Sequence, residues 1–218
     1  MKSSSLKSNA INYEDHWNKA YLKTPVTNLG WYEENPEPSI ELIERCNLNR
    51  DALIFNAGAG ATTLINKLIK RGFKNIIVND IAANGLAELK ENIPDKNKSS
   101  IRFIVDDLTN PTQLTNLKNI DLWHDRAVLH FFVKEKQRQT YFKLLKQAVK
   151  VNGYVILAQF NLEGAKKCCG LDVYNYNKEM LQNYLGNNFT LIKAFNYTYT
   201  QPSGNTREYV YTLFKKMQ

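Results

Sequence analysis

A chain of 218 residues, 43% hydrophobic and 23% charged, has the size of one large domain, and a compact fold of that length buries roughly 70–75% of the surface its unfolded form exposes; disorder as the main state is excluded. Lys and Arg outnumber Asp and Glu 29 to 21, a formal charge of +8, but the cations are scattered over helix faces such as Lys67/Lys70/Arg71 and Lys143/Lys146/Lys150, so a solvated surface is expected rather than a nucleic-acid groove. No apolar run approaches the ~20 residues of a membrane span, the start carries no signal-peptide stretch, and three cysteines, two of them adjacent, do not make a disulfide framework; the expectation is a cytoplasmic protein without a membrane partner.

Residues 1–12 are polar and aperiodic and read as a disordered tail. The remainder, 13–218, reads as a single domain. Its first segment, 13–38, carries Tyr13, Trp17, Tyr21, Trp31 and Tyr32, with Pro25 and Gly30 interrupting it, which predicts a short helix and then a loop. Ser39 is placed to cap a helix over 39–44. Short apolar runs then alternate with amphipathic segments: strands at 52–55, 75–78, 101–105, 120–123 and 153–160, and helices at 63–71, 83–92 and 134–150. That alternation predicts a parallel sheet covered by helices. Residues 189–195 and 208–214 alternate apolar and polar residues on either side of Gln201-Pro202-Ser203-Gly204-Asn205. So short a loop forces an antiparallel hairpin, because a parallel return needs a crossover of about a dozen residues. The fold class is therefore α/β: one Rossmann-like, doubly wound sheet of seven strands, mostly parallel with an antiparallel last strand and helices on both faces.

The first strand runs into Asn56-Ala57-Gly58-Ala59-Gly60 and then a helix. Two glycines there allow backbone to approach a ligand, and the helix start adds free N–H groups. Thr63 stands where a dinucleotide fingerprint has its third glycine, and no Lys-Ser/Thr follows, so pyrophosphate is not the expected ligand. Asp80 ends the second strand, twenty positions after Gly60, where a carboxylate accepts from both ribose hydroxyls. Asp106-Asp107-Leu108 ends the third, and a carboxylate there suits an adenine amino group. Three successive strand ends thus predict a nucleoside site, while the antiparallel last strand argues against a nicotinamide-dependent oxidoreductase.

These residues, with Asp121-Leu122-Trp123 and the terminal hairpin, resemble a class I S-adenosylmethionine-dependent methyltransferase over roughly 13–216. More narrowly, Trp123-His124-Asp125-Arg126-Ala127-Val128 resembles a segment of a group of microbial methyltransferases, which His16-Trp17, Gly30-Trp31-Tyr32, Cys168-Cys169-Gly170-Leu171 and Pro202-Ser203-Gly204 also fit. The resemblance implies S-adenosylmethionine as cofactor and S-adenosylhomocysteine as product. It implies that Gly58 and Gly60, with Asn56 and Ala57, surround the methionine part, that Asp80 and Ile81 hold the ribose, and that Asp107 or Asp106, with Leu108, meets the adenine. Trp31 joins that set from the N-terminal segment. Asn56 departs from the pattern, since the family usually carries an acidic residue there to complement the cofactor's ammonium.

His124, Asp125 and Arg126 follow the fourth strand, where donor methyl and acceptor should meet. Two readings stand for them: His124 takes a proton from the acceptor, or it stacks or hydrogen-bonds while Asp125 and Arg126 pair to fix the loop. His130, beside Phe131 and Phe132, reads as a packed core histidine. Trp17 and Tyr21, with Trp31, are expected to cover the site, and Cys168 and Tyr174 to line the acceptor's mouth. No metal site is expected, because His16, His124 and His130 lack zinc spacing to the cysteines. The expected reaction is methyl transfer to a small molecule. The alternatives are a protein-lysine acceptor or a non-catalytic nucleoside-binding module on the same scaffold.

Overall fold

The computed structural model describes residues 11–218, and most of the expected tail lies outside them. Two helices, α1 (Tyr13–Lys23) and α2 (Glu37–Arg45), precede β1 (Leu53–Ala57), α3 (Leu64–Lys70), β2 (Asn75–Asp80), α4 (Ala83–Glu91), the single turn α5 (Asp95–Lys98) and β3 (Ile101–Val105). Then come β4 (Ile120–Arg126), α6 (Glu135–Ala148), β5 (Val149–Phe160), a small ribbon of β6 (Lys167–Cys168) and β7 (Leu171–Asp172), α7 (Lys178–Leu185), β8 (Phe189–Thr200) and β9 (Thr206–Lys216). Seven strands form one sheet in the order β3-β2-β1-β4-β5-β9-β8. β1 to β5 pair in parallel, and β9 runs antiparallel to both β5 and β8. The doubly wound sheet and the antiparallel hairpin expected from the sequence are both present.

Alternation along the strands divides the core. Phe55, Trp123 and Leu157 point to the face covered by α6 and α7, where Tyr141, Phe142, Leu145 and Leu181 pack. Ile54, Leu122 and Ile156 point to the opposite face, under Leu42 and Ile43 of α2, Leu68 of α3 and Leu86 of α4. Sheet order brings the carboxyl ends of β1, β2, β3 and β4 to one edge, which is where an open α/β sheet binds ligands.

Three boundaries differ from expectation. Ser39 does not cap α2: the helix begins at Glu37, and Ser39 lies fully buried within it. α6 stops at Ala148, and β5 starts at Val149, because Val149 already has extended backbone and pairs with Ile120. β4 continues to Arg126, with His124, Asp125 and Arg126 opposite Ile156, Leu157 and Ala158. The three polar residues expected after the strand are therefore its last residues, inside a central strand.

Asp125 is fully buried on the α6 face. Its Oδ2 accepts from the Tyr141 hydroxyl at 2.6 Å, and its Oδ1 accepts from Gln159 Nε2 at 2.7 Å and from the Val128 backbone at 3.1 Å. Tyr141 in turn accepts from Trp123 Nε1 at 3.0 Å, and Gln159 accepts from the His130 backbone at 3.1 Å. The network ties α6 to β4 and fixes the turn that follows. A buried acceptor stripped of its donor costs about 1–3 kcal/mol. Tyr141→Phe, which orphans both Asp125 Oδ2 and Trp123 Nε1, is expected to lower unfolding free energy by about that amount in urea titration.

Candidate active site

Gly58 and Gly60 both take positive φ, 55° and 48°, a conformation that favours glycine. A Cβ on Gly58 would lie 2.2 Å from Val128 Cγ2, and one on Gly60 would lie 1.9 Å from the Tyr21 hydroxyl. Asp80 clasps this turn: Oδ2 accepts from the Gly60 N–H and Oδ1 from the Ala82 N–H, each at 2.8 Å. Burial pushes its carboxyl up to about 6, against the pull of those backbone donors. On the next strand the two aspartates part company. Burial opposes ionisation of Asp106, but backbone donors from Leu114, Thr112 and Asp107 and the Thr112 hydroxyl hold it below the usual carboxylate range. Those bonds occupy Asp106 in fixing its own loop. In Asp107, Oδ1 takes the backbone and hydroxyl of Thr109 at 2.7 and 2.8 Å, leaving Oδ2 for a ligand.

A cavity of about 990 Å³, its mouth included, opens over these strand ends. It brings together Trp17, Tyr21, Trp31, Gly58, Asp80, Ile81, Asp106, Asp107, Leu108, Arg126 and Cys168. α1 lies across it without a single buried residue. It is tied to α4 through the Asn84 N–H and Asn18 Oδ1 at 3.0 Å, with Asn84 Nδ2 on the Asn18 carbonyl at 3.3 Å. Trp17 meets Trp31 and Phe131 edge-on at 5.6 and 4.8 Å, and Tyr21 meets Trp31 at 5.9 Å. Burial, and then the charge of Asp80, raises the Tyr21 phenol, which stays protonated. A second cavity, of about 560 Å³, lies beside the first and is lined by Asn56, Ala57, His124 and Glu33, with Trp31, Gly58 and Arg126 shared between the two.

Several expected positions are occupied differently. His124 is 3% exposed, with Nδ1 on Asn56 Nδ2 at 2.7 Å and Nε2 on Ser39 Oγ at 2.9 Å. An amide nitrogen only donates, so Nδ1 is the acceptor and Nε2 carries the proton. Burial, with the nearby Arg126 charge second, drops the imidazole to about 3. His124 is thus a neutral tie between β1, β4 and α2, removed from the main cavity, and proton acceptance does not suit it. Asp125 lines neither cavity and belongs to the buried network above; it does not pair with Arg126. Tyr174 also lies off the cavity, its ring 4.0 Å beneath the Arg138 guanidinium. Gly60 lines neither cavity because Tyr21 stands over it.

Arg126 does reach the site, and its partner is Glu33. Nε lies 2.9 Å from Glu33 Oε2 and donates to the Tyr211 hydroxyl at 3.1 Å, while Nη1 donates to the Trp31 carbonyl at 3.1 Å. The rings of Tyr199 and Tyr209 lie 4.8 and 5.1 Å from the guanidinium carbon. Glu33, Arg207 and the tyrosines of the hairpin were missed by sequence reasoning. The period-two spacing of Tyr197, Tyr199, Tyr209 and Tyr211 was the signal for an aromatic face, but nothing in the sequence joins it to position 126. His130 is buried, as expected for a core histidine, and stacks on Phe160 at 4.3 Å, yet it also lines the main cavity. It is the imidazole on that wall.

Residues 55–157 match the family model described as a methyltransferase domain. The chain carries a methyltransferase domain over those residues, in the fold of the class I S-adenosylmethionine-dependent methyltransferases. Among solved structures, a SAM-dependent methyltransferase from Anabaena variabilis superposes with a TM-score of 0.75 at 16% identity, over 99% of this chain and 100% of the other. The Burkholderia thailandensis 1,6-didemethyltoxoflavin-N1-methyltransferase, with 1,6-didemethyltoxoflavin and S-adenosylhomocysteine bound, gives 0.66 at 15%, over 94% and 84%. Among curated proteins, EEF1A lysine methyltransferase 2 of Danio rerio is 25% identical over 174 residues, 73% of each chain.

S-adenosylmethionine is the cofactor of this fold, and the residues present fit it. Gly58 exposes backbone at the turn, Asp80 is held by that turn with its carboxylate in the cavity, and Asp107 Oδ2 is open beside it. Among the described residues no cluster of three His, Cys, Asp or Glu could hold a metal, and no helix is long and apolar enough to cross a membrane.

Two outcomes follow. With Asp80 proposed to take ligand hydroxyls as a carboxylate, affinity is expected to be full above its free-state value of about 6 and to fall by about tenfold per pH unit below it. Calorimetric titration of S-adenosylhomocysteine across that range, with Asp80→Asn abolishing the dependence, checks this. His124→Ala leaves Asn56 and Ser39 unpaired and is expected to destabilise the fold by about 1–3 kcal/mol in denaturant titration.

Proposed function

We propose that this methyltransferase acts on a small-molecule acceptor enclosed beneath α1, with S-adenosylmethionine as donor. The observation that carries the reading is the cover: Trp17 meets Trp31 and Phe131 edge-to-face at the cavity that Asp80 and Asp107 also line. A peptide segment needs an open groove at the methyl-transfer point. Here an aromatic roof lies across it.

When bound, the cofactor supplies a methyl activated by a sulfonium, whose leaving thioether is neutral. Asp80 and Asp107 hold the nucleoside end. The aromatic side chains exclude water and present π-faces to a cation, so the chain's contribution is chiefly alignment in a dry site. His130, rather than His124, stands where a proton leaving the acceptor would be received. Gln137 and Gln201 also line this wall and supply hydrogen bonds to orient a polar acceptor.

A protein-lysine acceptor is the second reading, favoured by the lysine methyltransferase activity named for the relatives in zebrafish, mouse and human. The two separate cleanly. With methyl-labelled S-adenosylmethionine and a cell extract divided into protein and small-molecule fractions, label is expected in the small-molecule fraction. Label on protein lysine instead overturns the small-molecule reading.

A further inference from the structure

The buried pair of Glu33 and Arg126 is unusual in how it is made. Each side chain is 10% exposed, and a pair so placed ordinarily satisfies itself with two parallel N–H···O bonds, since every unpaired polar atom costs free energy. This pair is joined on one side only. Arg126 directs Nε to Glu33 Oε2 and to Tyr211, and Nη1 to Trp31, leaving Nη2 buried without a partner. Glu33 has Oε2 on Arg126, and its Oε1 is not engaged by that guanidinium. An unused cationic donor and an anionic oxygen that it does not engage thus remain on neighbouring side chains.

Their place is fixed from several directions. Tyr199 and Tyr209 lie against the guanidinium. Thr63, at the start of α3, donates its hydroxyl to the Glu33 carbonyl at 2.8 Å, fastening residue 33 beside the glycine turn. Both side chains line the cavity that runs along Asn56, Ala57 and Gly58, and Arg126 also faces the larger one. Asn56 is neutral, 4% exposed, and its amide nitrogen is engaged by His124. His124, on the same wall, is held neutral by burial and then by the nearby Arg126 charge.

We infer that Glu33 and Arg126 form a clamp for a zwitterionic α-amino-acid group, with the carboxylate of Glu33 taking the ammonium and Nη2 of Arg126 taking the carboxylate. Resting on the cofactor reading above, this assigns them the methionine end of S-adenosylmethionine. It accounts for the one-sided pairing and supplies, from the segment before α2, the negative charge that Asn56 lacks.

The test compares two ligands by calorimetry: S-adenosylhomocysteine, and 5′-methylthioadenosine, which keeps the thioether nucleoside but has no amino-acid group. A charge-assisted hydrogen bond lost from a buried site weakens binding by about ten- to a hundredfold. Glu33→Gln and Arg126→Gln are each expected to weaken S-adenosylhomocysteine by that factor and to leave methylthioadenosine within about twofold. The clamp is overturned if either folded variant binds S-adenosylhomocysteine as the unaltered protein does, or loses both ligands equally. Should a variant not fold, N-acetylated S-adenosylhomocysteine, which lacks the ammonium, supplies the same comparison on the unaltered protein; binding equal to the parent ligand overturns the assignment of Glu33. If the unaltered protein binds neither nucleoside, the cofactor reading itself fails. If it binds both with equal affinity, only the clamp does.

Discussion

Everything at this site hangs on a polar sequence, His124-Asp125-Arg126, placed in the central strand of a sheet covered on both faces. Buried polar groups must find partners, and the two-residue period of a strand sends alternate side chains to opposite faces. Asp125 therefore recruits Tyr141 and Gln159 on the α6 face, while His124 and Arg126 recruit Ser39, Asn56, Glu33 and Tyr211 on the other. One strand end thus ties together α2, α6, the glycine turn, the segment after α1 and the terminal hairpin. The side chains most suggestive of catalysis in the sequence are largely those that hold the site in shape.

Polar satisfaction and function pull against one another at two points. Asp80 gives hydrogen-bonding capacity to the backbone of Gly60 and Ala82 and lies buried enough that its carboxyl is raised to about 6. Keeping an anion there at neutral pH costs stability, and a donor-bearing ligand offsets that cost. α1 shows the complementary strategy. Its side chains, Trp17 and Tyr21 among them, are at most partly covered, and it is held by the Asn18–Asn84 pair and by aromatic edges, contacts that open at much lower cost than a packed core helix.

The sheet was legible because hydrophobic period and loop length are local properties. The alternation in 189–195 and 208–214 around the turn-forming run 201–205 points to a hairpin, and Asp80 follows from its distance along the chain after the glycine turn. The fate of His124 was not legible, since it depends on Ser39 and Asn56, respectively 85 and 68 positions away. Nor was Glu33 distinguishable from Glu34 beside it: both precede a proline-rich helix start, and only the tertiary fold decides which one meets Arg126. Asp106 and Asp107 show the same limit at one residue's separation. Their order in sequence says nothing about which carboxylate the following loop will claim, and the donors of Thr112 and Leu114 claim Asp106.

The structure also explains how one scaffold serves acceptors as different as those named for its relatives. The nucleoside end is built from strand tips whose positions the sheet fixes, so it changes little when the rest does. The acceptor end as proposed is built from elements outside the parallel strands: α1, the turn after β4, the β6–β7 ribbon and the hairpin. Here the segment joining α1 to α2 is bound to the end of β4 through the Trp31 carbonyl, which accepts from Arg126, and to the hairpin through the Tyr32 carbonyl, which accepts from Tyr199, and through the Gly30 carbonyl, which accepts from Gln201 at 2.7 Å. Roof and hairpin therefore form one unit around Arg126. A change in either is felt at the other, which makes the proposed acceptor wall replaceable as a whole while the strand-end carboxylates stay where β2 and β3 put them.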